Sequence, residues 1–317
     1  MNVTSLELTV TAIDEPAPGI RTFTLVAPDG APLPGFVAGS HLLVDAGEQT
    51  NAYSLTSDGT DPTAYVVSVL RVPVVDGGSG GSQWLHERVA VGDALTIHPP
   101  RSAFAPMARA RKHLLVAGGI GVTPVVSHLR AARRWGRETQ VLYTFREGRA
   151  AHVGDVVELT DGAAELFTDR TSFCERLEKV LVDQPVGTHL YVCGPGPMTD
   201  HVLATAEALG WPQSRLHSER FGADALDPGE PFEVTLSGTG RTLEVPSGVS
   251  LLKALEDAGL AIPNLCRHGV CGECRIPVAA GRPLHRDLFL SEEEKQAGDA
   301  LMACVSRADG PTLEVPL

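Results

Sequence analysis

The chain has no apolar run long enough to span a membrane and no polar low-complexity tract. Its start, MNVTSLELTV, has neither a basic leader nor an apolar h-region, so a cytoplasmic location is expected. Basic charge is in short supply. There are 26 Lys and Arg against 39 Asp and Glu, for a net charge of −13. That balance argues against nucleic-acid binding, because phosphate backbones demand basic patches. No internal repeat is visible, and there is no signature of a nucleophilic triad or a paired-carboxylate site. Cysteine is scarce too, with six in the chain, yet three of them fall in CRHGVCGEC at 266–274. In a reducing compartment, clustered cysteines more often bind metal or do redox work than form disulfides.

What is present suits a soluble protein: 43% apolar and 21% charged residues over 317 positions, too long for one ordinary core. Three segments separate by pattern. Residues 1–106 hold six short alternating runs, LELTVTAI, RTFTLVA, HLLVDA, NAYSLTS, AYVVSVLRV and ALTIHPP, divided by Gly, Pro and Asp turns. They predict an antiparallel β-barrel or sandwich. Residues 107–222 change to apolar strands (HLLVAGG, QVLYTF, AELFTD, HLYVCG) alternating with helical stretches, which predicts an α/β domain with a parallel sheet. The first of its helices is expected from Pro124 to Trp135, with Thr123 as N-cap and Gly136 as stop. ADALDPGEP at 223–231 reads as a linker. Residues 232–317 begin with a hairpin, FEVTLSGTGRTLEVP. A helix capped by Ser250 follows, and later a short helix with a Ser291/Glu294 capping box, so this segment is α+β.

Four cysteines, Cys266, Cys271, Cys274 and Cys304, make the pattern C-x4-C-x2-C-x29-C. Zinc usually takes two C-x2-C pairs. Three thiolates on one loop and a distant fourth are the plant-type [2Fe–2S] arrangement, with zinc or plain buried thiols as the alternatives. Gly269 and Gly272 suit a backbone that must wrap a cluster and point N–H groups at its sulfurs. His268 reads as a solvated loop residue and Cys174 as an ordinary thiol. On these residues the tail resembles the plant-type ferredoxins, which implies a β-grasp fold and one-electron chemistry.

Two glycine turns stand about seventy residues apart: GGIGVTP at 118–124 and CGPGPM at 193–198. Each follows a strand, where a helix N-terminus offers unpaired N–H groups to a pyrophosphate. Together they resemble the nicotinamide domain of the ferredoxin–NADP reductase superfamily. The resemblance places Gly119, Gly121, Thr123 and Pro124 along the dinucleotide, and Cys193, Gly194, Pro195 and Met198 on its nicotinamide side. Read from the residue alone, Cys193 is a small buried hydrophobe. Asp169, after AELFT, could bond the ribose hydroxyls and repel a 2′-phosphate, while the adjacent Arg170 could argue the reverse and Arg146 is a further contact. NADH is therefore expected rather than NADPH.

The superfamily also implies a flavin on the first segment. NAYS at 51–54 stands where its R-x-Y-S motif belongs, with Asn51 in place of the phosphate-clamping Arg, then Ala52, Tyr53 against the flavin ring and Ser54 bonded to it. The expected site extends to Val69, Leu70 and Arg71, and to a glycine-rich loop entering a helix, with Gly78, Gly80, Gly81 and Ser82. Ser79 stands where relatives carry an Arg, and Arg71 could supply the missing charge. Phe221 would lie over the flavin ring, although a plain core aromatic is the competing reading. Tyr53, Ser54, Cys193 and Phe221 are thus the residues expected at the reacting rings.

The order of barrel, nicotinamide domain and ferredoxin resembles the phthalate dioxygenase reductase and vanillate O-demethylase reductase family across nearly the whole chain. That resemblance implies FMN rather than FAD. It also implies a monomeric reductase that passes electrons from NADH through the flavin and a [2Fe–2S] cluster to a terminal oxygenase of Rieske type. Two alternatives are a stand-alone reductase of small acceptors, and a redox sensor or adaptor with a degenerate flavin site.

Overall fold

The computed structural model describes residues 5–47, 49–72, 80–102, 104–221, 229–264, 269, 272–287 and 289–317. The chain divides into two compact units, Met1–Phe221 and Gly222–Leu317. No helix among the described residues is long and apolar enough to cross a membrane.

The first unit opens with β1 (Leu6–Ala17), β2 (Ile20–Val26), β3 (Ser40–Ala46), β4 (Gln49–Ser54) and β5 (Tyr65–Leu70), then helix α1 (Gly81–Arg88) and β6 (Ala94–Ser102). They form one antiparallel sheet in the order β4-β3-β6-β1-β2-β5. A bridge between Leu55 and Val67 joins its two edges and closes the barrel. Alternation puts Leu8, Val10, Phe23, Leu25, Leu42, Val44, Val67 and Ile97 inside. Leu85 of α1 joins the same core.

The parallel sheet follows. Its elements are β7 (Lys112–Gly118), α2 (Val122–Trp135), β8 (Glu138–Thr144), α3 (Val153–Leu159), β9 (Glu165–Phe167), α4 (Arg170–Val182), β10 (Thr188–Cys193), α5 (Gly196–Ala208) and β11 (Leu216–Glu219). The strand order is β11-β10-β7-β8-β9. Both faces are covered, which is why these strands read as continuous apolar runs. Leu115, Ala117, Val141 and Tyr143 pack under α2 and α3. The alternate positions Leu114, Val116, Leu142 and Val192 pack under α4 and α5.

Helix α2 departs from expectation at its start. Gly119–Gly121 forms a 3-10 turn that runs straight into Val122, so the helix begins two residues before Pro124. Thr123 is therefore inside the helix and not its N-cap, and its hydroxyl donates to Ile120 O at 3.0 Å. The far end is as expected: Gly136 takes the left-handed conformation that closes the helix.

The second unit contains β12 (Phe232–Leu236), β13 (Arg241–Val245), α6 (Leu251–Asp257), β14 (Arg275–Pro277), β15 (Pro283–Leu284), α7 (Glu292–Ala297), β16 (Ala300–Met302), β17 (Arg307–Ala308) and β18 (Thr312–Val315). Strand β12 pairs antiparallel with β13 and parallel with β18. Helix α6 packs Leu251, Leu252 and Leu255 into the same core as Phe232, Val234 and Leu313. Ser250 caps α6, and the Ser291/Glu294 capping box is formed at α7.

Candidate functional site

Nearly all of the expected nicotinamide-side residues follow the C-terminal ends of the five parallel strands, the edge where open α/β sheets bind ligands. Gly119 and Gly121 follow β7, Arg146 follows β8, Asp169 follows β9, Gly194 and Pro195 follow β10, and Phe221 follows β11. The two glycine turns touch. Strands β7 and β10 are neighbours in register, Ala117 beside Cys193. A Cβ at Gly121 would lie 2.5 Å from Cys193 C and 2.8 Å from Gly194 N. A Cβ at Gly118 would meet Met198 Sδ at 2.5 Å and Pro195 Cδ at 2.9 Å. Gly119 adds a positive φ of 53°, the left-handed region that favours glycine. Two motifs far apart in sequence thus form one cradle because backbone presses on backbone. Thr123 and Pro124 are buried behind it, while Arg146 is exposed. Asp169 is exposed and caps α4, Oδ1 accepting from Ser172 N at 2.8 Å. That bond holds its carboxyl below the usual range.

Of the expected flavin residues, Asn51 to Ser54 lie on β4, Val69 and Leu70 on β5, and Gly81 and Ser82 on α1. Tyr53 packs against the barrel core. Its hydroxyl is buried without a hydrogen-bond partner among the described residues, and burial raises its pKa. Asn51 and Ser54 are buried, and Ala52 is half-buried. The Asn51 carboxamide occupies the space that a side chain on Gly81 would need, so glycine there lets Asn51 sit against the start of α1. Gly80 is the left-handed N-cap of α1, and Ser82 Oγ accepts from Val72 N at 3.1 Å. Val69 is buried and Leu70 exposed. Arg71 is paired with Glu87 of α1, so its charge is already engaged. Gly78 and Ser79 lie outside the described residues.

One residue that the motifs did not single out belongs with these. Glu219 ends β11, in register with Cys193. It is buried beside Ser54, and neither Ser54 Oγ nor Glu219 Oε2 has a hydrogen-bond partner of normal geometry among the described residues. Burial pushes the Glu219 pKa up to about 8, an effect the Ser54 hydroxyl partly offsets. Burial first, and then Glu219, push the Cys193 thiol well up, so it stays protonated. Serine, thiol and carboxylic acid are therefore neutral groups, and the serine and the acid have hydrogen-bonding capacity to spare. This is the kind of floor that fits a polar ring system and not a free ion. Phe221 is half-buried against the same core.

In the second unit Cys274 and Cys304 are buried with sulfurs 3.1 Å apart, too far for a disulfide and near enough to share a metal centre. Gly269 and Gly272 both have positive φ. A Cβ at Gly272 would run into the Phe289 ring, and one at Gly269 would meet Val305 Cγ2 at 2.6 Å and Asp287 Cα at 3.0 Å. Gly269 and Gly272 are therefore pressed tightly onto their neighbours. Cys266, Cys271, His268 and linker residues 223–228 lie outside the described residues.

Comparison with known proteins finds one family match in each of the two units. Residues 94–216 match the family described as dimethylamine monooxygenase subunit DmmA-like, N-terminal domain, and 234–309 match the 2Fe-2S iron-sulfur cluster binding domain. The heme-dependent oxidative N-demethylase beta subunit of Ectopseudomonas mendocina (strain ymp) is 39% identical over 99% of each chain. The vanillate O-demethylase oxidoreductase of Pseudomonas putida is 36% identical over 98% of this chain and all of its own. The crystal structure of phthalate dioxygenase reductase superposes with a TM-score of 0.74 at 33% identity, over 99% of this chain and 98% of that one. Fold and site define an electron-transfer oxidoreductase that carries a [2Fe–2S] ferredoxin domain. Within that class, the chain belongs to the family of phthalate dioxygenase reductase and the vanillate O-demethylase oxidoreductases.

Proposed function

We propose that the protein takes electrons from NADH and delivers them, through FMN and the [2Fe–2S] cluster, to a separate terminal oxygenase. FMN, when bound, supplies the step from a two-electron hydride donor to the single electrons that a cluster accepts. The carrying observation is the meeting of the two glycine turns beside Glu219, Cys193 and Ser54 in one compact unit, on a chain that also has a ferredoxin domain.

The chain's own residues have separable tasks in this reading. Gly119, Gly121 and Gly194 let backbone approach the dinucleotide. Cys193 and Glu219 give the nicotinamide side an uncharged wall near neutral pH, which avoids a buried anion beside a transferred hydride. Ser54 and Tyr53 offer hydroxyls to the flavin. Asn51 stands at the start of α1 as a neutral donor toward the flavin phosphate, with the helix N-terminus behind it. Asp169 keeps its negative charge and disfavours a 2′-phosphate. Cys266, Cys271, Cys274 and Cys304 hold the cluster.

For the partner, a Rieske-type oxygenase follows from the resemblance in domain order. A heme-containing partner is the second reading, favoured by the 39% identity to a heme-dependent N-demethylase subunit over its full length. The nucleotide and flavin are tested by chromatography of the released flavin and by stopped-flow reduction with NADH and NADPH. FMN and faster reduction by NADH are expected; FAD, or preference for NADPH, contradicts the assignment. The partner is tested by pairing the reduced protein with a candidate oxygenase: a Soret shift identifies heme, and a Rieske electron paramagnetic resonance signal identifies the other class.

A further inference from the structure

A closed circuit of hydrogen bonds crosses from the barrel to the parallel-sheet domain and back. On the barrel, Ser68 of β5 lies 2.8 Å from Thr22 Oγ1 of β2 and 2.8 Å from His152 Nε2. His152 Nδ1 donates to Asp155 Oδ2 of α3 at 2.8 Å. Arg130 of α2 donates through NH2 to Asp155 Oδ1 at 2.6 Å, and through Nε to the Thr56 carbonyl at 2.8 Å. Thr56, just past β4, donates its N–H to Val66 of β5 at 2.9 Å, two residues from Ser68. With Nδ1–H given to the carboxylate, a neutral imidazole would accept at Nε2 from Ser68, whose oxygen would accept from Thr22.

Ser68, His152 and Asp155 have the bonding order of a hydrolase triad, but not its setting. Ser68 is buried in the barrel wall, and its oxygen is already shared with Thr22. A nucleophile needs room for an acyl group and an oxyanion site. The circuit is therefore structural in its chemistry. Its cost also argues that it does something. His152 takes a left-handed conformation, φ 55° and ψ 21°, at the start of α3. A non-glycine residue there is strained, and the surrounding contacts must hold it.

From this geometry we infer that His152 is a positioning residue for hydride transfer. The circuit anchors the segment that follows Tyr53 and Ser54 to α2, the helix that begins at the glycine turn. It thereby fixes the flavin strand against the dinucleotide turn. The inference rests on the flavin and NADH reading above. Misplacement of reacting groups by about 1 Å can cost about a hundredfold in rate.

The test uses three variants. Gln places an amide near the position of Nε2 and can keep the Ser68 bond, the one of the two that crosses from the barrel to the parallel-sheet domain; the Asp155 bond it gives up is local to the start of α3, where Arg130 still holds the carboxylate. Asn places one near Nδ1, keeps the Asp155 bond, and suits the left-handed backbone. Ala keeps neither. In stopped-flow reduction at saturating NADH, H152Q is expected within about threefold of the parent. H152N and H152A are expected to fall by about tenfold to a hundredfold, with flavin content and NADH affinity unchanged. Hydrogen exchange reads the same coupling without any cofactor. H152N and H152A should speed exchange in the 56–68 segment, and H152Q should not. H152A reacting like the parent, or H152N surviving while H152Q fails, overturns the assignment, as does faster exchange confined to α3. If the parent itself fails to react with NADH, the functional reading is at fault, and exchange still decides the coupling.

Discussion

At the scale of single residues, the site depends on places where no side chain fits. Gly121 has backbone of β10 where its Cβ would be, so G121A must push β7 and β10 apart at the cradle. Backbone cannot yield as a flexible side chain can. The expected outcome is a loss of NADH affinity of tenfold or more, about 1.4 kcal/mol or above, with the iron–sulfur absorption unchanged. Titration of the oxidised protein with an unreactive NADH analogue checks this. The glycines were legible because their spacing after strands has a mechanical meaning. Glu219 was not. Its importance comes from burial beside Ser54 and from register with Cys193, and both arise only once β11 lies against β10. A lone Glu before an Arg and a Phe carries no local signal of that. Arg71 has a partner that the sequence did not show: in the fold it pairs with Glu87 of α1.

At the scale of elements, the strongest local signals were caps and alternation. The capping box at α7 formed as expected, with Ser291 Oγ accepting from Glu294 N at 3.2 Å and Glu294 Oε2 accepting from Ser291 N at 3.0 Å. Replacing Ser291 by Ala should destabilise the ferredoxin unit by about 1 kcal/mol, read as an earlier urea midpoint for loss of cluster absorbance. An unchanged midpoint would mean that the Arg275–Glu294 ion pair carries the helix start instead. The start of α2 was misread for a physical reason. Proline at a first helical position and threonine before it form a sound capping pattern, but the preceding glycines could already form a 3-10 turn and extend the helix backward. The closure of the barrel through Leu55 and Val67 had no sequence signal, because it depends on how six strands tilt together.

At the scale of the whole molecule, the order of parts was legible because each part has its own period: two for the barrel, apolar runs and helices for the parallel sheet, cysteine spacing for the ferredoxin. Buried titratable groups were not, yet they set the pH behaviour of the first unit. His128 is fully buried, with Nε2 donating to Phe104 O at 2.7 Å. Burial pushes its pKa, and that of His217, down to about 4. Between pH 6.5 and 4 the unfolded chain binds these protons and the folded one does not, so stability should fall as pH drops through that window. Glu219 works in the other direction. With its pKa raised to about 8, it holds a proton in the fold that the unfolded chain has released above pH 4.5, so stability should decline as pH rises toward 8. E219Q should lose that alkaline decline and keep the acid one. All three tryptophans, Trp84, Trp135 and Trp211, lie in the first unit, so tryptophan fluorescence during urea unfolding reports on it directly. An alkaline decline that persists in E219Q would place the responsible proton elsewhere.

In this reading one chain links a two-electron donor to a one-electron cluster. An anaerobic titration with NADH, followed by visible absorption and electron paramagnetic resonance, tests it most directly. Flavin and iron–sulfur bands should both bleach, and a reduced [2Fe–2S] signal should appear without any added mediator. Flavin bands that bleach while the cluster stays oxidised, or a preparation with cluster but no flavin, would contradict it.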